Sequence, residues 1–115
     1  MSSPIYKIVP ASLWQKARET GTFVGSLVDL TDGFIHFSTA TQTIETAARH
    51  FKGQKDLILV AVDEEKLGDT VIYEPSRGGD LFPHLYGTLP MEAVIWERPL
   101  PLGDDGLHVF PEMEA

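Results

Sequence analysis

The run Leu57-Ile58-Leu59-Val60-Ala61-Val62 constrains the fold more than any other stretch of the chain. Six successive apolar residues are too few for a typical helix and leave no polar position for a solvent face, so they predict a central strand covered on both sides. Such a strand needs a layer above it and a layer below. The rest of the 115 residues, 43% of them hydrophobic across the chain, must supply those layers and suffice for one compact domain spanning residues 1–115.

Ile5 to Val9 alternates Ile5, Lys7 and Val9 against Tyr6 and Ile8, a strand pattern rich in β-branched and aromatic residues. Pro10 opens a helix carrying Leu13, Trp14, Ala17 and Arg18 at helical spacing, and Gly21 stops it. Phe23-Val24 predicts a brief extended piece, followed by a loop or helical turn. Thr31-Asp32-Gly33 reads as a turn that releases a strand over Phe34 to Phe37. Thr39 and Gln42 are spaced as a capping box, so a second main helix starts near Ala40. Its apolar face is expected at Ala40, Ile44, Ala47, Ala48 and Phe51, with Thr43 toward water and Gly53 beyond its end. Asp63 to Gly68 turns the chain, Thr70 to Glu74 is a strand, and Pro75 to Asp80 is a loop. Phe82 to Gly87 reads as a rigid, turn-rich loop, Leu89 to Glu92 as one helical turn, and Ala93 to Arg98 as the last full strand, ended by Pro99 and Pro101. Leu107 to Phe110 could add a short edge strand before an acidic, fraying end.

Two stretches stand out chemically. Asp32-Gly33-Phe34-Ile35-His36-Phe37-Ser38-Thr39 places a histidine inside an apolar strand and two hydroxyls at a helix start, where amides and hydroxyls converge to hold an anion or nucleotide. Phe82-Pro83-His84-Leu85-Tyr86-Gly87 supplies a second histidine and a tyrosine on a restricted backbone, and the two stretches are expected to face each other. The alternative for His36 is a core histidine satisfied by a carbonyl. Glu74, Arg77 and Asp80 flank a Gly-Gly pair that could form a lid whose arginine meets a carboxylate or phosphate.

Other chemistries lack their signatures. The chain has no cysteine, hence no thiolate chemistry, and it contains no phosphate loop, nucleophile elbow or short-spaced zinc motif. A formal charge of −8 argues against a large nucleic acid as partner, because phosphate-backbone affinity comes from Lys and Arg. No segment approaches the ~20 apolar residues of a membrane span, and the N-terminus has neither a basic nor a long apolar stretch, so a cytoplasmic, membrane-free protein with a small-molecule ligand is expected.

Ile5-Tyr6-Lys7-Ile8, Asp32 to Thr39, Asp56-Leu57-Ile58-Leu59 and Gly79 to Gly87 together resemble the bacterial domain-of-unknown-function family 952, over nearly the whole chain. A more distant similarity runs to the tRNA 2′-phosphotransferases of the ADP-ribosyltransferase-like fold. It rests on His36-Phe37-Ser38, then Val60-Ala61-Val62-Asp63, then Gly68 with Tyr73, then Val94-Ile95, similar in type and order. This resemblance implies an α+β domain with an ADP-ribosyltransferase-like split, mixed β-sheet, two main helices and an NAD-type cleft lined by the strand of His36. The expected cofactor is then NAD or a related nucleotide, and the reaction ADP-ribosyl or related transfer. Candidate catalytic residues are His36, His84 and Tyr86; candidate nucleotide-binding residues are Ser38, Thr39, Arg77 and Lys7. The phosphotransferases' arginines have no counterpart here, and their late-strand glutamate is matched only in position, by Glu74 or Glu97. Two alternatives stand beside this expectation: a non-enzymatic binding module on the same fold, and a metal-dependent small-molecule enzyme using both histidines.

Overall fold

A computed structural model describes residues 4–113 of the chain. The Leu57 to Val62 run is strand β4, the middle of an antiparallel sheet whose order is β1-β4-β8, with β1 at Ile5–Pro10 and β8 at Val94–Leu100. Its two faces are both covered, as its uniform apolarity requires. Val60 and Val62 join Ile5, Val9, Trp14, Phe23, Ile35 and Leu85 in one core cluster. Leu57, Leu59 and Ala61 join Tyr6, Ile8, Ala47 and Leu100 in the other. The alternation in β1 thus feeds both cores, and it leaves Lys7 as the one charged residue on the side of Ile5 and Val9.

Helix α1, Ala11–Thr20, begins after Pro10 and ends at Gly21, whose left-handed φ of 87° is the stop expected there. It places Trp14 and Ala17 in the first core. Helix α3, Ala40–His50, covers the second face and starts with the predicted capping box of Thr39 and Gln42. The helix is rotated from expectation. Thr43 and Ala47 are its buried residues, whereas Ile44 and Ala48 are exposed. Thr43 can be buried because its Oγ1 donates to the Thr39 carbonyl at 2.7 Å, which leaves no unpaired hydroxyl in the core.

A second sheet has the order β3-β6-β5, from Ile35–His36, Leu81–Leu85 and Val71–Pro75. The Phe82 to Gly87 segment is therefore largely strand, not a loop. Pro83 sits in its middle strand at little cost because β3 is only two residues long, and the Pro83 carbonyl still accepts from the Phe37 amide at 3.0 Å. Backbone bonds of 2.8 Å in both directions between Tyr6 and Ser38 tie this sheet to β1. Every strand pairing among the described residues is antiparallel, where a sheet of mixed sense was expected.

The Thr22 to Gly33 region holds a two-residue strand, β2 at Thr22–Phe23, and then a short helix, α2, at Leu27–Asp32. Asp32 ends that helix and Gly33 caps it with a φ of 88°, so the expected turn is a helix terminus. β2 pairs with Leu89–Pro90, strand β7, where a helical turn was expected; a 3₁₀ turn follows at Met91–Ala93. Pro99 lies within β8, which as an edge strand tolerates it. The tail makes a single bridge, Leu102 with His108, and its last two acidic-end positions, 114–115, lie outside the described residues. The architecture is α+β, built from small antiparallel sheets and helices.

Candidate functional site

Ser26-Leu27-Val28-Asp29 has the spacing of a capping box, and α2 uses it: the Ser26 amide donates to Asp29 Oδ2 at 2.8 Å. The cap does more than start a helix. Asp29 is 1% exposed, and its carboxylate also accepts from the His36 amide at 3.1 Å, from the His36 ring Nδ1 at 2.6 Å and from Lys7 Nζ at 3.1 Å. Burial alone would raise its pKa, yet the His36 bond, the Lys7 charge and the two backbone amides prevail and hold it well below the usual carboxylate range. Lys7 also donates to the His36 carbonyl at 2.9 Å, and burial lowers its own pKa against the pull of Asp29.

His36 Nε2 faces Asp32 Oδ2 at 2.9 Å, so the ring stands between two carboxylates of α2. Directly across the β3–β6 ladder, His36 pairs in register with His84, and the ring centroids are 5.5 Å apart. Phe34 packs against both histidines, stacked on His84 at 4.1 Å and tilted to His36 at 4.6 Å. The buried His84 ring meets Glu74 Oε1 through Nδ1 at 2.8 Å, and the Tyr86 hydroxyl donates to the same oxygen at 2.6 Å. The bonds from Tyr86 and His84 pull the Glu74 pKa down, and the bond to Glu74 pushes the Tyr86 phenol up. An ionised carboxylate only accepts, so His84 carries its proton on Nδ1. Its Nε2 has no hydrogen-bond partner among the described residues.

A cleft of about 720 Å³ opens beside this cluster, within the range of small-molecule sites. Lys7, His36, Ser38 and His84 line it together with Ser26, Thr43, Thr46, His50 and Ser76, between walls that include Ile8, Leu13, Leu27, Val28, Phe51 and Phe82. Ser38 Oγ lies 3.3 Å from Thr46 Oγ1, a long contact that leaves both hydroxyls capacity to spare. Thr39 is spent on its cap and is not a lining residue. Tyr86 stands off the cleft wall, beyond Phe34 and joined to the site through Glu74. The Arg77 side chain lies outside the described residues; its neighbour Ser76 lines the cleft. Glu97, the other late-strand glutamate, is remote from this cluster and contacts Trp14 and Arg18. No group of three or more histidine, aspartate or glutamate side chains is arranged to hold a metal ion among the described residues.

The sequence matches the family described as "Protein of unknown function (DUF952)" over residues 8–97. The chain belongs to the DUF952 family. Among solved structures, it is similar to the crystal structure of protein CC0527 from Caulobacter crescentus, at 48% identity and a TM-score of 0.90, with 93% of this chain and 94% of that one covered. A solution NMR structure of CC0527 gives 48% identity and a TM-score of 0.83 over 92% and 91% of the two chains. No curated protein matches.

Asp29 and Phe34 were absent from the sequence-based site, and Glu74 entered it only as a lid charge or by position. Asp29 did leave a signal, since Ser-x-x-Asp is a capping signature. Phe34 and Glu74 left none, because their roles arise from cross-strand proximity.

Proposed function

We propose that the cleft of this DUF952 domain binds a nucleotide of the NAD type and that His84, oriented by Glu74, acts there as a general base. The observation that carries the reading is the Glu74–His84 pair, 2.8 Å apart, in a histidine that lines the cleft and has no partner at Nε2 among the described residues. A carboxylate on Nδ1 fixes the tautomer, sets the ring direction and stabilises the imidazolium formed when Nε2 takes a proton. Such a pair suits removal of a proton from a hydroxyl. In ADP-ribosyl transfer, the acceptor oxygen forms a bond to the ribose C1′ of NAD while the bond from C1′ to the nicotinamide nitrogen breaks. The nicotinamide leaves neutral, and the acceptor's proton passes to His84 Nε2.

The choice of nucleotide rests on the similarity of the His36-Phe37-Ser38 strand and its successors to the ADP-ribosyltransferase-like fold, which is analogy. In this reading Ser38 and Thr46 meet ribose hydroxyls. Of the two cations expected for phosphate, Lys7 serves Asp29, and this reading assigns the phosphate to Arg77, next to Ser76 in the chain. His36 is a positioning residue with both ring nitrogens engaged by carboxylates. That engagement also favours a second reading, a binding module without transfer chemistry.

Calorimetry with NAD, ADP-ribose and AMP, paired with chromatographic detection of nicotinamide, separates the two. The enzyme reading expects binding, nicotinamide release and loss of release in His84→Gln with binding retained. Binding without release makes the domain a binding module. No heat from any of the three with folded protein ends the nucleotide reading.

A further inference from the structure

Helix α2 is held in an unusual way. Its one buried residue is Asp29, while Leu27, Val28 and Leu30 are 82%, 57% and 61% exposed. A surface helix ordinarily docks through an apolar stripe, so this one is attached by a carboxylate instead. It is bounded by Gly25 and Gly33, at φ values of 118° and 88°, a region that glycine enters freely and where a chain can pivot. Ser26, Leu27 and Val28 line the cleft. The helix therefore forms part of the cleft wall.

His36 grips that wall at two points. Nδ1 reaches Asp29 at 2.6 Å and Nε2 reaches Asp32 at 2.9 Å, both on α2. Carboxylates only accept, and an imidazole with one proton donates once, so both bonds form together only when the ring carries both protons. We propose that α2 is a lid on the cleft and that His36 is its proton-operated latch, fully closed as imidazolium and released at the Asp32 end when the ring loses a proton.

The groups facing His36 are consistent with that role. From α2 come Asp29 and Asp32. From β1, Lys7 holds the His36 carbonyl and Asp29, so the inner attachment survives when the outer one opens. From β6 comes the His84 ring, and from β5 comes Glu74 behind it, already bonded to His84 and Tyr86. A charge change at His36 is thus felt first by α2, the helix that carries Leu27 and Val28 at the cleft. The consequence for binding rests on the cleft being a ligand site; the latch itself does not.

The test is amide hydrogen exchange by NMR, expressed as protection relative to intrinsic rates, across the pH range over which the His36 ring protons change shift. The reporters are the Leu30 amide, bonded to the Ser26 carbonyl, and the Gly33 amide, bonded to that of Asp29; the Phe51 amide of α3 and the amides of β4 are references. Protection of Leu30 and Gly33 should fall about 3- to 10-fold as His36 titrates, with the references unchanged. Asp32→Asn, at a partly exposed side chain, should lower α2 protection at acid pH and flatten its pH dependence. The His84→Gln variant should retain the step, which assigns it to His36. A flat α2 profile across the His36 titration, a profile untouched by Asp32→Asn, or α2 loss in step with β4 overturns the latch. None of these outcomes touches nucleotide binding, and a failure to bind nucleotide leaves the exchange result standing.

Discussion

Asp29→Asn is the most informative perturbation of this molecule. The substitution keeps the side-chain volume but removes the charge opposite Lys7, in a pair whose side chains are 9% and 0% exposed. Breaking a buried pair by removing one partner costs about 3–5 kcal/mol, because the remaining charge stays buried and uncompensated. Asn also offers one acceptor oxygen where the carboxylate accepts from Ser26, His36 and Lys7 on two. Against a domain stability of roughly 5–15 kcal/mol, and with a urea m-value of about 1–3 kcal/mol/M, the unfolding midpoint should fall by about 2 M. Urea unfolding followed by tryptophan fluorescence measures it. Lys7→Met in the Asp29→Asn background should restore part of the loss, since the double variant no longer buries a charge there, giving a coupling of about 1–3 kcal/mol. The sign with pH also follows. Asp29 has a lower pKa folded than unfolded, so its contribution is fully present above the ordinary aspartate value of about 3.9 and is lost as pH falls below it. The acid limb of the stability curve should therefore be shallower in Asp29→Asn. A midpoint within about 0.5 M of wild type, or strict additivity with Lys7→Met, would refute the reasoning.

Two further outcomes are expected. Gly25→Ala should destabilise by about 2–3 kcal/mol in the same urea assay, because its Cβ would lie 2.9 Å from the Asp29 Cβ at a φ of 118° that alanine resists; a neutral result would mean the Asp29 anchor can shift freely. Glu74→Gln should bring the Tyr86 phenol down toward the ordinary value of about 10 by removing the carboxylate charge that accepts its hydrogen bond. Ultraviolet titration with Tyr86→Phe as the reference reads this, and an unchanged Tyr86 would dissolve the Tyr86–Glu74–His84 chain.

The parts of the fold legible in sequence are those in which one periodicity decides. β4 was visible from uninterrupted apolarity, β1 from alternation, and α1 and α3 from their starts and spacing. α2 was only half visible because no apolar stripe marks it; its anchor is a carboxylate, and buried ion pairs have no period. β6 was hidden by Pro83 and Gly87, residues that signal loops unless the neighbouring strand is too short to need the missing donor. Thr43 misled because threonine is polar in a pattern count yet satisfies itself against its own helix. The His36 and His84 segments were expected to face each other, but neither their strand pairing nor their carboxylate partners were, since Glu74 and Asp29 reach the rings through sheet register and a helix cap.

That register explains why the two histidines meet on a ladder of only two residue pairs, Ile35 with Leu85 and His36 with His84. Ile35 and Leu85 are among the most completely buried side chains in the protein and belong to the same core cluster. Successive strand residues point to opposite faces, so burying that apolar pair sends His36 and His84 together to the other face. Glu74 falls there too, because it pairs with Phe82, two residues before His84 on the same face. A one-residue slip of β3 against β6 would expose Ile35 and bury His36 away from Asp29 and Asp32, at a cost set by an apolar pair and an ion-pair network at once. The core contacts of Ile35 and Leu85 therefore hold the imidazoles against each other, and substitutions there should disturb the site before they unfold the sheet.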